Sequence, residues 1–427
     1  MFVAMRRLAV VVIILCLLVI GRGIYLLNQN RHPAVSVTDV QDLWIAGNKS
    51  PALPASVHVV YKKTTITPPV YNPYNFPNAA ECGNMSVWEE YATLHHKIVT
   101  GQVKGKFLRY NCVSQFSCGG WGNRLGGISV AFTLAVITKK AFLVRMPFPV
   151  DINILMQPNA IHWNHSIEHL PIKSFFLVDP QALDENWPSF RKMLMNYDNS
   201  IDVMDFRTNL GFYWFMPKFD KELRHTFNEL FPVDSSYNYR ILYGCIQRYL
   251  FKYNQVVIDA IQKEMRDLHL QAGRYVAAHY RTQLIAADTE PPTPLALEPH
   301  LKCVALAADS LSHKYHSDFV PAYLLTDTNI VDDMAHKLYN DTIRTSPVEK
   351  IHIDRTKLKP QAALPGYVGV FVNIEVAAKA AVFLRFGRQH SSMAELIESL
   401  GRNITTVIQC GPNGKNCQND TSICGHV

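Results

Sequence analysis

The 427-residue chain contains no D-x-D triplet. Paired carboxylates are the usual clamp for a hard divalent cation, so no metal site is expected and any bound diphosphate must be neutralised by other means. There is no C-x-x-C, and the C-terminal cysteines Cys410, Cys417 and Cys424 are spaced too widely for a zinc knuckle. No long block of like charge and no basic stripe interleaved with aromatics occurs. With 42 basic against 35 acidic residues the net charge is only +7, so nucleic-acid binding is not indicated. No internal repeat or low-complexity tract breaks the chain. The dinucleotide fingerprint G-x-G-x-x-G is also missing: counted from Gly120, its sixth position is Leu125. No carboxylate stands about twenty residues further on to hold a ribose, because that region runs from Lys139 to Pro149. A nicotinamide oxidoreductase is therefore a distant reading.

One long apolar run is present. Arg6 and Arg7 precede an uninterrupted stretch from Leu8 to Ile20, and apolar residues resume at Ile24 and continue to Leu27. Basic residues ahead of such a run keep the N-terminus cytosolic. The pattern predicts a transmembrane anchor over residues 8–27 after a cytosolic tail, residues 1–7, with a cleaved signal peptide as the alternative. Both place the remainder in the secretory pathway, as a single-pass type II protein of the Golgi or ER membrane or as a secreted form. Six glycosylation sequons begin at Asn48, Asn84, Asn164, Asn340, Asn403 and Asn419. Apart from Cys16 in the apolar run, eight cysteines remain. In an oxidising compartment they read as disulfides, with 105 pairings open.

Residues 28–103 carry prolines from Pro33 to Pro77 and read as a semi-rigid luminal stem. Beyond them, strand-like and helix-like segments alternate. "KFLRY" is a strand, and after a glycine loop Leu125, Ile128, Phe132, Ala135 and Val136 recur at helical spacing. "AFLV" is the next strand, which completes a βαβ unit. A second series follows: "RYVAAHYR", a helix to Tyr315, "AYLLTD", a short helix, "AVFLRF", and "SSMAELIESLG" with Ser391 as N-cap. Two Rossmann-like units are expected, residues 104–268 and 269–427, each with a parallel sheet.

Chemistry-bearing residues gather at the predicted strand ends, where α/β proteins bind ligands. The loop "SCGGWGNRLGG" opens a helix, and glycine lets backbone approach an anion there; a plain tight turn is the ordinary alternative. His279 and Arg281 lie two apart at the end of a strand and so share a face. Arg281 offers a fixed fork of donors and a permanent charge to a diphosphate. Asp327 ends "LLTD", and Ser391 and Ser392 open a helix whose dipole favours phosphate.

Taken in order, "GGWGNRLGG", "HYRT", "LLTD" and "AAVFLRFGRQHSSMAEL" resemble the fucosyltransferase superfamily, which holds the α1,2-, α1,6- and protein O-fucosyltransferases. The likeness spans about Lys106 to Gly401. It implies a GT-B-like pair of Rossmann domains and inverting, metal-independent transfer of fucose from GDP-fucose to a hydroxyl of a glycan or glycoprotein. By the same resemblance, Gly120, Gly122, Asn123 and Arg124 would form the loop on the nucleotide sugar. Arg281 would hold the β-phosphate and stabilise departing GDP, with His279 shaping the cleft. Ser391 and Ser392 would bind the diphosphate, and Asp327 would line the nucleoside side. The chain departs from the pattern H-x-R-R-x-D, reading His279-Tyr-Arg281-Thr-Gln, so the second arginine and the aspartate are missing. No general base is identified; Asp288 and Glu290, in the loop after the strand, are the candidates. A different nucleotide-sugar transferase on this fold, or a glycan-binding protein on a decayed transferase scaffold, are the other readings.

Overall fold

The computed structural model describes Cys82 and residues 85–410, apart from residues 114–117, 149, 178–179, 196–201, 232–235, 282–293, 348–359, 387–390 and 402–403. All of these belong to one compact unit, residues 66–427. The anchor, most of the stem, Asp288, Glu290 and the last cysteines lie outside the described residues. Among those described, no helix is long and apolar enough to cross a membrane.

The expected stem gives way early to folded chain. Helix α1 (Met85–Val99) buries Trp88, Tyr91, His95 and Ile98, a helical spacing that the preceding prolines obscured. Then follow β1 (Phe107–Asn111), α2 (Trp121–Ile137), β2 (Ala141–Arg145), α3 (Ile152–Leu155), β3 (Met156–Pro158), β4 (Ile172–Phe176), α4 (Pro180–Met195) and β5 (Val203–Arg207). After α5 (Phe212–Phe215) and α6 (Lys221–Leu230) come two further helices. These are α7 (Ser236–Leu250) and α8 (Gln255–Asp267), split by β6 (Phe251–Tyr253). Strand β6 pairs antiparallel with β3, and this tertiary partner overrides local helical preference.

The second series is β7 (Val276–Tyr280), α9 (Pro294–Tyr315), β8 (Ala322–Thr326), α10 (Asn329–Tyr339), β9 (Ile343–Thr345), α11 (Pro360–Ala378), β10 (Val382–Phe386), α12 (Ser392–Leu400) and β11 (Thr406–Cys410). Two wholly parallel sheets result, in the orders β2-β1-β5-β4 and β11-β10-β7-β8-β9. This is the α/β architecture that alternating strands and helices dictate.

In each sheet the chain builds outward on one side and then crosses to the other. In the first the chain crosses from β2 to the far edge at β4 and returns inward to β5 beside β1. In the second β7 leads outward to β8 and β9 while β10 leads to β11 on the other side, so a switch point falls between β7 and β10. At such switch points neighbouring connections leave in opposite directions and open a crevice beyond the strand ends. One apolar core runs from Trp88, Tyr110 and Phe132 through Tyr275 and Tyr323 to Phe371 and Ile397. A second, under α9, covers the other face of the five-stranded sheet. Disulfides join Cys82 to Cys245 and Cys112 to Cys118, and Cys303 is disulfide-bonded as well. The first ties the segment before α1 to α7 across 163 residues.

Candidate active site

The glycine loop leaves β1, a central strand of the first sheet. Its path is fixed by covalent and polar ties. The Cys112–Cys118 bridge closes it across six residues. Gly119 takes φ +67°, which a side chain would disfavour, and a Cβ there would overlap Asn123. Gly120 is the N-cap of α2, and a glycine cap has no side chain to occupy the first N–H groups.

Arg124 works differently from what the resemblance implies. Its side chain is fully buried and donates from Nε to the Gly119 carbonyl at 2.9 Å and from Nη1 to the Phe148 carbonyl at 3.1 Å and Cys112 Sγ at 2.9 Å. The guanidinium thus braces the loop from within, because buried carbonyls need donors and arginine supplies several from one fork. Asn123 remains half-exposed beside it.

The second component comes from the switch point of the other sheet. His279 on β7 stands in register with Arg385 on β10 and with Leu325 on β8. One residue beyond the last pairing of β7 with β8, Arg281 and Asp327 leave adjacent strand ends. Arg281 is half-buried. His279 is buried, and its Nδ1 has no hydrogen-bond partner among the described residues. Burial first, and then the positive charge of Arg281, push its pKa down to about 4; Asp327 opposes this and Arg385 adds to it. The imidazole is therefore neutral at physiological pH.

Beyond β10 the chain enters α12. Ser391 is its N-cap, and its hydroxyl accepts from the Ala394 N–H at 3.4 Å. The start of α12 lies directly on the start of α2. A Cβ on Gly122 would stand 2.6 Å from the Ser392 carbonyl carbon, 2.7 Å from the Met393 nitrogen and 2.7 Å from Ser392 Oγ. Only glycine permits that approach. Two helix N-termini, one following the central strand β1 and one following β10, therefore meet at Gly122 and Ser392. Tyr243 of α7 supports the contact by donating to the Gly122 carbonyl at 3.4 Å.

The geometry thus brings Gly120, Gly122, Asn123, Ser391 and Ser392 to one junction. His279, Arg281 and Asp327 stand on the neighbouring strand ends. Asp288 and Glu290 lie outside the described residues. Sequence reasoning passed over Arg385, a cation inside the apolar strand "VFLRF". Its side chain donates to Glu398 Oε1 at 3.2 Å and lies 4.0 Å from Glu395 Oε1, both on α12. Its signal was its company, a charge amid a buried strand with two carboxylates on the next helix. No group of three or more His, Cys, Asp or Glu side chains that could hold a metal ion occurs among the described residues.

The arrangement suits an anion. Helix N-termini carry partial positive charge and unpaired N–H donors, and Arg281 adds a permanent cation. No family model matches the sequence, and no curated protein resembles it in sequence. Solved structures do resemble the fold. A mutant form of Arabidopsis thaliana FUT1 in complex with GDP superposes with TM-score 0.51 and 12% identity, covering 76% of this chain and 78% of that one. NodZ, an α-1,6-fucosyltransferase co-crystallised with GDP, gives TM-score 0.46 and 11% identity over 75% of this chain and 100% of its own. The fucosyltransferase NodZ from Bradyrhizobium gives 0.44 and 12% over 72% and 96%. At such identities the likeness is one of fold, and the chain has a fucosyltransferase-like α/β fold.

Proposed function

We propose that this chain is a glycosyltransferase that moves fucose from GDP-fucose to a hydroxyl of a glycan or glycoprotein. The observation carrying the proposal is the meeting of the N-termini of α2 and α12 at Gly122 and Ser392, with α12 following the strand that pairs with β7, which Arg281 follows. Positive helix ends and a guanidinium are the groups that suit a diphosphate. The fold neighbour FUT1, seen in complex with GDP, supports the choice of nucleotide.

The chemistry asked of the site is modest. When the glycosidic bond to the diphosphate breaks, negative charge grows on the leaving oxygens. Preorganised N–H groups and Arg281 stabilise that charge more strongly than they stabilise the intact donor. With no D-x-D in the chain, this electrostatic work falls to the helix ends and the arginine, and the reaction is metal-independent. Attack by the acceptor on the face opposite GDP inverts the sugar carbon. Neutral His279 leaves the local positive potential to Arg281 and fills the wall beneath it. The luminal, membrane-anchored setting comes from the N-terminal apolar run and fits the disulfides.

Thermal unfolding of the purified full-length chain with GDP, GDP-fucose, UDP and NAD in turn tests the reading. A ligand bound only by the folded state raises the melting temperature, by about 2.7 kcal/mol of stabilisation at a hundredfold excess over Kd. The expected result is a shift with GDP and GDP-fucose alone, abolished in Arg281→Ala. Equal shifts with UDP would move the donor assignment elsewhere, and no shift with either guanine nucleotide would overturn it.

A further inference from the structure

We infer that Arg385 is the positioning residue of this site: tied to Glu398 and Glu395, it holds α12 against β10, the strand beside β7, and sets the affinity for the nucleotide diphosphate. The inference rests on the proposed GDP-sugar reading.

Three observations meet here. First, Arg385 occupies the strand that flanks β7 across the switch point, directly opposite His279. Side chains in register on parallel neighbours rise from the same face of the sheet, so Arg385 and His279 share the layer beneath the crevice. Second, Arg385 reaches from that layer to α12. Its Nη1 donates to Glu398 Oε1 at 3.2 Å, and its Nη2 lies 4.0 Å from Glu395 Oε1. Glu398 is itself gripped from the other side by Arg240 Nη1 of α7, 2.6 Å from Oε2. A fork with fixed angles, buried at both ends, sets distance and rotation between strand and helix as a flexible lysine would not. Third, what α12 presents at its start is the N-cap Ser391 and Ser392, of which Ser392 packs on Gly122. A small rotation of α12 would separate the two helix ends that form the anion site.

The charges point the same way. Glu395 stands in the first turn of α12, where a carboxylate competes with an anionic ligand for the helix end. Arg385 lies beside it, and Arg385 with Arg240 brackets Glu398, so the helix presents its dipole with its carboxylates answered. The charged groups around His279 are Arg281 on its own strand, Asp327 from β8 and Arg385 from β10, with Glu395 and Glu398 of α12 behind Arg385. This arrangement places a buried cation on the strand that pairs with β7, whereas the segment after Arg281 reads Thr282-Gln283.

The experiment uses the full-length chain and replaces both buried partners at once, R385M/E398L. Removing one alone would strand a buried charge and endanger the fold, whereas an apolar pair of similar volume is commonly tolerated; Arg240, half-exposed, remains solvated. Melting temperature, GDP affinity and the titration of His279 by NMR are read together. The expected result is near wild-type melting, a GDP Kd raised about tenfold, the equivalent of one charged hydrogen bond, and a His279 midpoint moved upward from about 4. Wild-type GDP affinity in the double variant, whatever its melting temperature, overturns the inference while leaving the donor reading intact. Absence of GDP binding in the wild-type chain overturns the donor reading and this inference with it.

Discussion

At the scale of single residues, the site separates groups that face the ligand from groups that build its walls. Arg124 belongs to the walls. Three of its contacts go to the loop and to the Phe148 carbonyl, so Arg124→Ala leaves buried carbonyls without donors. Each such orphan costs about 1–3 kcal/mol, and the melting temperature is expected to fall by several degrees. Arg281→Ala should instead remove GDP binding with little change in melting. Measuring both variants by calorimetry with and without GDP separates the two roles; equal loss of affinity at equal stability would return Arg124 to the ligand. Gly122→Ala tests the helix junction. A methyl at 2.6 Å from the Ser392 backbone has no flexible neighbour to yield, so α2 and α12 must part. GDP affinity should fall by at least tenfold, while unchanged affinity would show that the junction is not the anion site.

At the scale of elements, the sequence announced strands and helices more clearly than their limits. "AYLLTD" and "SSMAELIESLG" carry their own period and cap, and β8 and α12 stand where these place them. The start of α12 was legible because Ser391 is a capping residue. Helix α1 was not, since the prolines up to Pro77 coloured the reading of everything before Val103. Arg385 was legible only as a charge amid an apolar strand: its partners Glu395 and Glu398 lie in another element, and no spacing rule links a strand to the following helix across an intervening loop. The glycine loop was recognised by composition, but the Cys112–Cys118 bridge at its start was one of the many pairings left open. A loop this short confers only about 2 kcal/mol by the chain-entropy estimate. The double variant Cys112→Ser/Cys118→Ser should therefore stay folded while binding GDP more weakly. A large fall in melting temperature with affinity unchanged would assign the bridge to stability alone.

At the scale of the whole molecule, the order of strands in each sheet was hidden from the sequence. Alternation predicts parallel pairing but not which side each crossover takes, and it is the crossovers that put β1 beside β5 and β7 beside β10. Stability also belongs to this scale, and two buried histidines give it a pH dependence. His95 accepts the Phe142 N–H at Nδ1, and burial pushes its pKa down to about 3, opposed by a backbone hydrogen bond with His162 and helped by the neighbouring charges of His162, His165 and His96. His279 is pushed down to about 4. In the unfolded chain both protonate near the ordinary value of about 6.5. Stability from burying the neutral rings is thus fully present above pH 6.5 and drains away as pH falls toward 4 and then 3, since there the unfolded state binds the extra protons. Each ring contributes a slope of about 1.4 kcal/mol per pH unit across its window. Urea unfolding at pH 7 and pH 5 should show the loss. His95→Gln, which keeps an acceptor for the Phe142 N–H, should reduce the slope by one proton. An unaltered slope would mean that His95 titrates in the folded protein as it does in the unfolded chain.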